Sequence, residues 1–143
     1  MTELGQYAAL PYILIADELR ICLITSRETK RWVIPKGWPK SGLLPHELAA
    51  REAVEEAGLI GEIETDPIGT YSYSKRLRLF SSVTCQVTVF PLLVHTQRVH
   101  WREERERTLA WMSPSEAARN VQEPDLSSLL AALPRWVRHR VLV

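Results

Sequence analysis

The chain has 143 residues, of which 45% are hydrophobic, and its formal net charge at pH 7 is +1. This length and composition support one hydrophobic core and predict a single domain over residues 1–143. A charge so close to zero argues against a protein that coats nucleic acid or a membrane surface, and no apolar run approaches bilayer-spanning length.

The first predicted elements are a hairpin, a short strand and a helix. Residues 8–15 and 19–25 are apolar, β-prone runs separated by a turn at residues 16–18. A short strand at residues 32–34 leads into a loop that contains prolines and Gly37. A helix is predicted over residues 45–57, because Pro45 suits a first helical turn and Gly58 suits a helix end, although Leu44 is a poor cap.

The second half of the chain predicts more strands and two further helices. Strands are expected at 60–64 and 68–74, at 80–94 with a bend near Pro91, and at 108–112. A helix over 113–118 is opened by Ser113, with Glu116 at a capping-box position. A last helix over 125–133 is expected to end at Pro134. Strands flanked by helices indicate an α/β fold with the sheet between helical layers.

Three carboxylates crowd onto one face of the helix predicted at 45–57. Glu52, Glu55 and Glu56 fall at i, i+3 and i+4, with the small and apolar residues on the opposite face (Ala50, Ala53, Val54 and Ala57). Like charges so close together repel, and hard oxygen ligands on one rigid face are what Mg²⁺ or Mn²⁺ requires. An ordinary solvated face is the alternative interpretation of this stripe.

The stretch from Gly37 to Leu59 resembles the Nudix box, G-x5-E-x7-R-E-U-x-E-E-x-G-U, in which U is an apolar residue. The matching positions are Gly37, Arg51, Glu52, Ala53, Glu55, Glu56, Gly58 and Leu59. So many defined positions at fixed spacing make a specific motif. One position departs from the pattern, because Leu43 stands where the box has its first glutamate.

The resemblance implies a Nudix-type α/β/α sandwich with a mixed sheet between helices, and a hydrolase of phosphoanhydrides that uses Mg²⁺ or Mn²⁺. Glu52 and Glu56, four residues apart, are the natural metal pair, and Glu55 is a further ligand or the residue that orients or deprotonates water. Arg51 is expected to hold a carboxylate in place. The backbone carbonyl of Lys36 or Gly37 can complete the metal shell.

A later acidic run offers an additional metal ligand or base. Some members of the family draw another carboxylate from a later loop, and Glu103, Glu104 and Glu106 are the candidates here. A solvated charge run is the competing interpretation of these residues, and it is the commoner one.

Two basic clusters bear on the substrate. Arg27 and Arg31 lie before the box, and Lys75, Arg76 and Arg78 lie before the long strand. Ordinary solubilising surface is the alternative for each cluster, but together they favour binding of a heavily phosphorylated ligand, because arginine matches phosphate oxygens bidentately.

Residues 10–133 also resemble the branch that hydrolyses diphosphoinositol polyphosphates and diadenosine polyphosphates. In that branch a serine–arginine pair contacts phosphates, which implies phosphate-binding roles for Ser26 and Arg27. Lys36 and Lys40 stand where many members have glycine or an acidic residue, so they can strengthen binding of anionic chains.

Two other functions stay open. The missing glutamate at Leu43 is compatible with a Nudix-shaped module that binds a nucleotide or polyphosphate without cleaving it. A hydrolase of nucleoside diphosphate derivatives would need a base-stacking aromatic residue, although aromatic residues at strand spacing are more often core (Trp38, Tyr71, Tyr73 and Phe80). Neither a monomer nor a homodimer is excluded by the sequence.

The remaining chemistry-bearing residues form no recognisable set. The four histidines are scattered, and no Ser-His, Cys-His or zinc-type spacing occurs, which argues against covalent catalysis. Cys22 and Cys85 each lie in an apolar run, so buried thiols are expected rather than a disulfide. The N-terminus lacks a basic segment followed by an apolar one, and we therefore expect a cytoplasmic location.

Overall fold

The computed structural model describes residues 4–141, which form a mixed sheet between two helical layers. The elements in chain order are β1 (Leu4–Ile15), β2 (Glu18–Thr25), β3 (Trp32–Val33), β4 (Lys36–Gly37), α1 (Pro45–Ala57), β5 (Leu59–Ile63), β6 (Gly69–Arg78), β7 (Ser81–Gln97), β8 (Leu109–Met112), α2 (Pro114–Asn120) and α3 (Pro124–Val141). The predicted α/β/α sandwich is confirmed. No helix among these residues is long and apolar enough to cross a membrane.

The centre of the sheet is a parallel pair, β1 and β7, and the other pairings are antiparallel. The far edge of β1 is shared by two partners. Residues 12–15 pair with β2, whereas Tyr7 and Ala8 pair with Gly37 and Lys36 of β4. This short strand, which the sequence predicts as loop, brings the first residues of the box beside α1.

Neighbouring residues of β1 point to opposite faces of the sheet and join different cores. Ala8 packs in the cluster that includes α2 and α3, and Ala9 in the cluster beneath α1. Helix α1 contributes only small side chains to its cluster, namely Ala49, Ala53 and Ala57. Such residues let the helix lie close to the sheet, which explains why the box position at Ala53 is occupied by a small residue.

Helix α3 continues through Pro134, so the prediction that this proline ends the helix is wrong. A proline inside a helix costs about 3 kcal/mol through the lost hydrogen bond and the clash of its ring. Leu133 and Val137 are buried on either side of it, and Trp136 packs against the same core. Burying apolar side chains of this size contributes about 1.5–3 kcal/mol each, which offsets the cost of the proline.

Other expectations about the elements have mixed outcomes. Ser113 caps α2 as predicted, because its hydroxyl accepts the Glu116 N–H at 3.2 Å. Phe80 was expected to begin the long strand, but it lies in the turn between β6 and β7 and is 96% exposed. The start of α1 relies on Glu47, whose carboxylate accepts the Leu44 N–H at 2.8 Å, in place of a capping side chain at Leu44.

Candidate metal and phosphate site

Three of the four carboxylates of α1, Glu52, Glu55 and Glu56, line one cavity of about 340 Å³. Glu56 is buried, with 6% of its surface exposed, and Glu52 and Glu55 are partly buried. Ala49, Ala53 and Ala57, spaced four residues apart on α1, pack on the sheet and so hold the acidic face in position. The acidic stripe is therefore the floor of a cavity and not an ordinary solvated helix face.

Glu52 and Glu56 form a closely coupled pair. Burial raises the pKa of Glu56 to about 8, the Glu52 carboxylate adds to this rise, and the Arg107 guanidinium opposes it. Burial also raises the pKa of Glu52, while a hydrogen bond with Glu56 lowers it. Burial thus disfavours two negative charges on the metal-free pair, and a divalent cation would neutralise them.

Gly37 lies directly against this pair. A Cβ atom at this residue would stand 2.4 Å from both Cδ and Oε1 of Glu52, so any side chain would displace the carboxylate. The backbone of Gly37 does not use the left-handed region, because the glycines with positive φ among the described residues are Gly42 and Gly58. A glycine is needed here because it has no side chain, so the backbone can approach the acidic face.

Glu55 is hydrogen-bonded by Arg51, and a second arginine, Arg102, lies at ion-pair distance from it. Its Oε1 accepts Arg51 Nε at 3.1 Å and lies 3.8 Å from Arg102 Nη1. Within residues 4–141 no three histidine, cysteine, aspartate or glutamate side chains converge enough to enclose a metal ion. The donor set that fits a cation is thus the Glu52–Glu56 pair with the nearby backbone, which suits Mg²⁺ because it commonly keeps water and phosphate ligands.

Among the three later glutamates, Glu103 is the one that lines the cavity. Glu104 instead bonds His100 at 2.9 Å, and Glu106 lies 3.4 Å from Arg27 Nη1. The structure thus brings one of the three candidates into the cavity lining, and it pairs the other two with His100 and Arg27.

Arg107 is a site residue that the sequence interpretation missed. Its Nε bonds Glu103 Oε1 at 2.8 Å, its Nη2 lies 3.7 Å from Glu56 Oε1, and its Nη1 donates to the Thr25 carbonyl at 3.1 Å. The i, i+4 spacing between Glu103 and Arg107 was a usable signal, but it lay inside a run of charges that looked like solvated surface.

Four further cations line the cavity: Arg27, Lys36, Lys40 and Lys75. Lys36 Nζ lies 5.0 Å from the centre of the Tyr73 ring, and burial lowers the pKa of its ammonium while the Glu56 carboxylate raises it. With the acidic pair on one side and these cations around it, the cavity can receive a ligand that carries several phosphates.

Four predicted phosphate-binding residues are not brought to the cavity. Arg31 Nη1 donates to Glu123 Oε2 at 2.7 Å and to Gln122 Oε1 at 3.1 Å, so the loop after β2 is tied to the residues just before α3. The Ser26 hydroxyl accepts the Arg31 N–H at 3.2 Å and closes that loop. Arg76 follows Lys75 on β6 and therefore points to the opposite face of the strand. Arg78 lies beyond a bulge at the end of β6, and neither arginine lines the cavity.

The aromatic candidates for base stacking separate into three environments. Trp38 lines the cavity and is 39% exposed, and Tyr73 lines it with its hydroxyl donating to Gln6 Oε1 at 2.5 Å. Tyr71 is a core residue, and Phe80 is remote from the cavity lining. Cys22 and Cys85 are buried free thiols, as predicted.

Comparison with known proteins agrees with this arrangement. The family model described as NUDIX domain matches residues 7–133. Nudix hydrolase 17, mitochondrial, of Arabidopsis thaliana is 31% identical over 103 residues, covering 72% of this chain and 54% of that protein. Nudix hydrolase 16, mitochondrial, of the same plant is 28% identical over 128 residues, covering 87% and 71%. The chain thus spans about half the length of the first of these relatives.

Solved structures share the fold at low sequence identity. A C. elegans Ap4A hydrolase binary complex superposes with a TM-score of 0.70 at 17% identity, covering 95% of this chain and 98% of that chain. The NUDIX domain of Shewanella oneidensis NrtR complexed with ADP ribose superposes with a TM-score of 0.66 at 14% identity, covering 99% and 90%. At these identities the likeness concerns the fold alone.

Proposed function

The chain belongs to the Nudix family, and from this premise we propose that it hydrolyses a phosphoanhydride bond with Mg²⁺ or Mn²⁺ as cofactor. The observation that carries the proposal is the pair of buried Glu56 and partly buried Glu52 beside the bare backbone of Gly37, in a cavity lined by cations. Glu52, Glu56 and a backbone carbonyl of Lys36 or Gly37 would hold the cation. When bound, the cation neutralises charge on phosphate oxygens and lowers the pKa of water.

The chain's own residues divide the remaining work. Glu55, fixed by Arg51 at 3.1 Å, is the first candidate to orient or deprotonate the attacking water. Glu103 lines the same cavity and is the second candidate to accept the proton of the attacking water. The Lys36 ammonium, over the Tyr73 ring and close to Glu56, can stabilise negative charge on the phosphate that leaves.

The cations that line the cavity favour a substrate with several linked phosphates, such as a dinucleoside polyphosphate or an inositol pyrophosphate. Arg27, Lys36, Lys40 and Lys75 can contact phosphates beyond the bond that is cleaved. The structural neighbours include proteins named for Ap4A and for a complex with ADP ribose, and both ligands contain phosphoanhydrides. A cytoplasmic location and the choice between monomer and homodimer stay predictions.

Two alternatives have specific support. A module that binds without cleaving is supported by Leu43 and by the hydrogen bond from Arg51, which engages Glu55, the first candidate base. A hydrolase of nucleoside diphosphate derivatives is supported by Trp38, which is 39% exposed at the cavity and can stack on a base.

The test is phosphate release from dinucleoside polyphosphates, inositol pyrophosphates and nucleoside diphosphate derivatives, with and without Mg²⁺. We expect Glu55→Gln to lower kcat by about a hundredfold or more, the usual size of a general-base effect. Glu47→Gln is the matched control, because Glu47 lies on the same helix, outside the cavity lining, and glutamine can still cap the Leu44 N–H. Ligand binding without turnover of any compound would favour the non-catalytic module.

A further inference from the structure

The loop before β8 lies across the end of helix α1. Its backbone is bonded there twice, since Glu103 N–H donates to the Glu55 carbonyl at 3.0 Å and Arg98 N–H donates to the Gly58 carbonyl at 2.8 Å. The Trp101 ring lies against Gly58, so close that a Cβ atom there would stand 2.5 Å from Cε3 of the indole. The main chain of the loop is therefore fixed on α1 without any help from Arg107.

The side chain of Glu103 is fixed differently. Its Oε1 accepts Arg107 Nε at 2.8 Å, a charge-assisted hydrogen bond with both side chains largely buried, at 9% exposed for Arg107 and 15% for Glu103. Arg107 is itself anchored, because its Nη1 donates to the Thr25 carbonyl at the end of β2. The guanidinium thus holds the Glu103 carboxylate at a fixed position relative to the sheet.

The contact of Arg107 with Glu56 is of another kind. The distance of 3.7 Å from Nη2 to Glu56 Oε1 exceeds that of a hydrogen bond, so Arg107 compensates the charge of Glu56 without binding its oxygens. Glu56 keeps its oxygens for a cation, whereas Glu103 is oriented. We propose that Arg107 is a positioning residue that aims the Glu103 carboxylate into the cavity, an inference that rests on the proposed hydrolase function.

A double-mutant cycle tests this inference. Lysine keeps the charge of Arg107 but lacks the planar fork that reaches Glu103 and Thr25 together. If Arg107 acts through Glu103, then Arg107→Lys and Glu103→Gln should each lower kcat by about tenfold to a hundredfold with KM nearly unchanged. The kcat of the double variant should be no more than about threefold lower than that of Glu103→Gln, because both substitutions disrupt the same interaction.

Two controls separate positioning from damage to the fold. Arg105→Lys is the matched variant, since Arg105 is exposed and forms no ion pair among residues 4–141. Mn²⁺ affinity should be retained in Arg107→Lys, because Glu52 and Glu56 are untouched. Multiplicative losses in the double variant, or an unchanged kcat in either single variant, would overturn the role of Arg107 while the hydrolase proposal stands. No turnover by the wild-type protein would overturn both.

Discussion

Gly37→Ala tests the geometry of the acidic pair without removing any charge. The new Cβ would stand 2.4 Å from Cδ and Oε1 of Glu52 and 2.8 Å from Cγ. The carboxylate must therefore move by about 1 Å to restore an ordinary contact, and a displacement of this size at a reacting centre can lower the rate by about a hundredfold. The far end of a flexible side chain gives way, so we expect little loss of stability.

Gly5→Ala is the matched control, because a Cβ at Gly5 meets nothing within 4 Å. Alanine restricts the unfolded chain at both positions and stabilises a compatible site by about 0.4–1 kcal/mol. We expect Gly37→Ala to keep the Tm of the wild type, to lose most of its kcat, and to lose the rise in Tm that millimolar Mg²⁺ gives the wild type. Wild-type kcat and an unchanged response to Mg²⁺ in Gly37→Ala would refute this geometry.

The remaining predictions concern pH, substrate binding and stability. Burial raises the pKa of Glu56 to about 8, and this group must lose its proton before it can bind a cation, so Mn²⁺ affinity should fall by up to about tenfold per pH unit below pH 8. Calorimetry at pH 6, 7 and 8 measures this dependence, and an affinity that does not change with pH would contradict it. The same raised pKa means that the metal-free protein binds more protons folded than unfolded between pH 4.5 and 8, so its stability should decline as pH rises through that range. Lys75→Ala should raise KM several-fold for long polyphosphates, whereas Arg76→Ala, on the other face of β6, should have the KM of the wild type. Equal KM values for the two variants would show that the face of β6 does not determine which residue binds phosphate. Pro134→Ala should raise the free energy of unfolding by about 1–3 kcal/mol in denaturant titrations, and a loss of stability would show that the ring itself packs productively.

The acidic helix was predictable because its determinants are local. The helix bounds follow from Pro45 and Gly58, and the spacing of Glu52, Glu55 and Glu56 alone brings the carboxylates to one face. Burial of that face did not follow from spacing. It depends on β4, a strand of two residues whose pairing with β1 carries too little sequence signal to be read.

The basic residues show where local reasoning ends. Arg31 was predicted to bind phosphate, but its guanidinium is bound to Glu123, which is distant in sequence. Arg76 and Lys75 are neighbours in sequence, yet strand alternation sends them to opposite faces. Arg107 was overlooked because its place in the site depends on contacts with Thr25 and Glu56, which only the fold brings close to it.

Turnover in the presence of an excess of chelator tests the central claim most directly. The assay follows phosphate release from a dinucleoside polyphosphate by the wild type and Glu56→Gln, with bound metal measured in the same samples. The account predicts no turnover in chelator, full recovery of the wild type on addition of Mg²⁺ or Mn²⁺, and recovery of Glu56→Gln only in part and at higher metal concentrations. Full turnover in chelator by protein shown to carry no metal would contradict it.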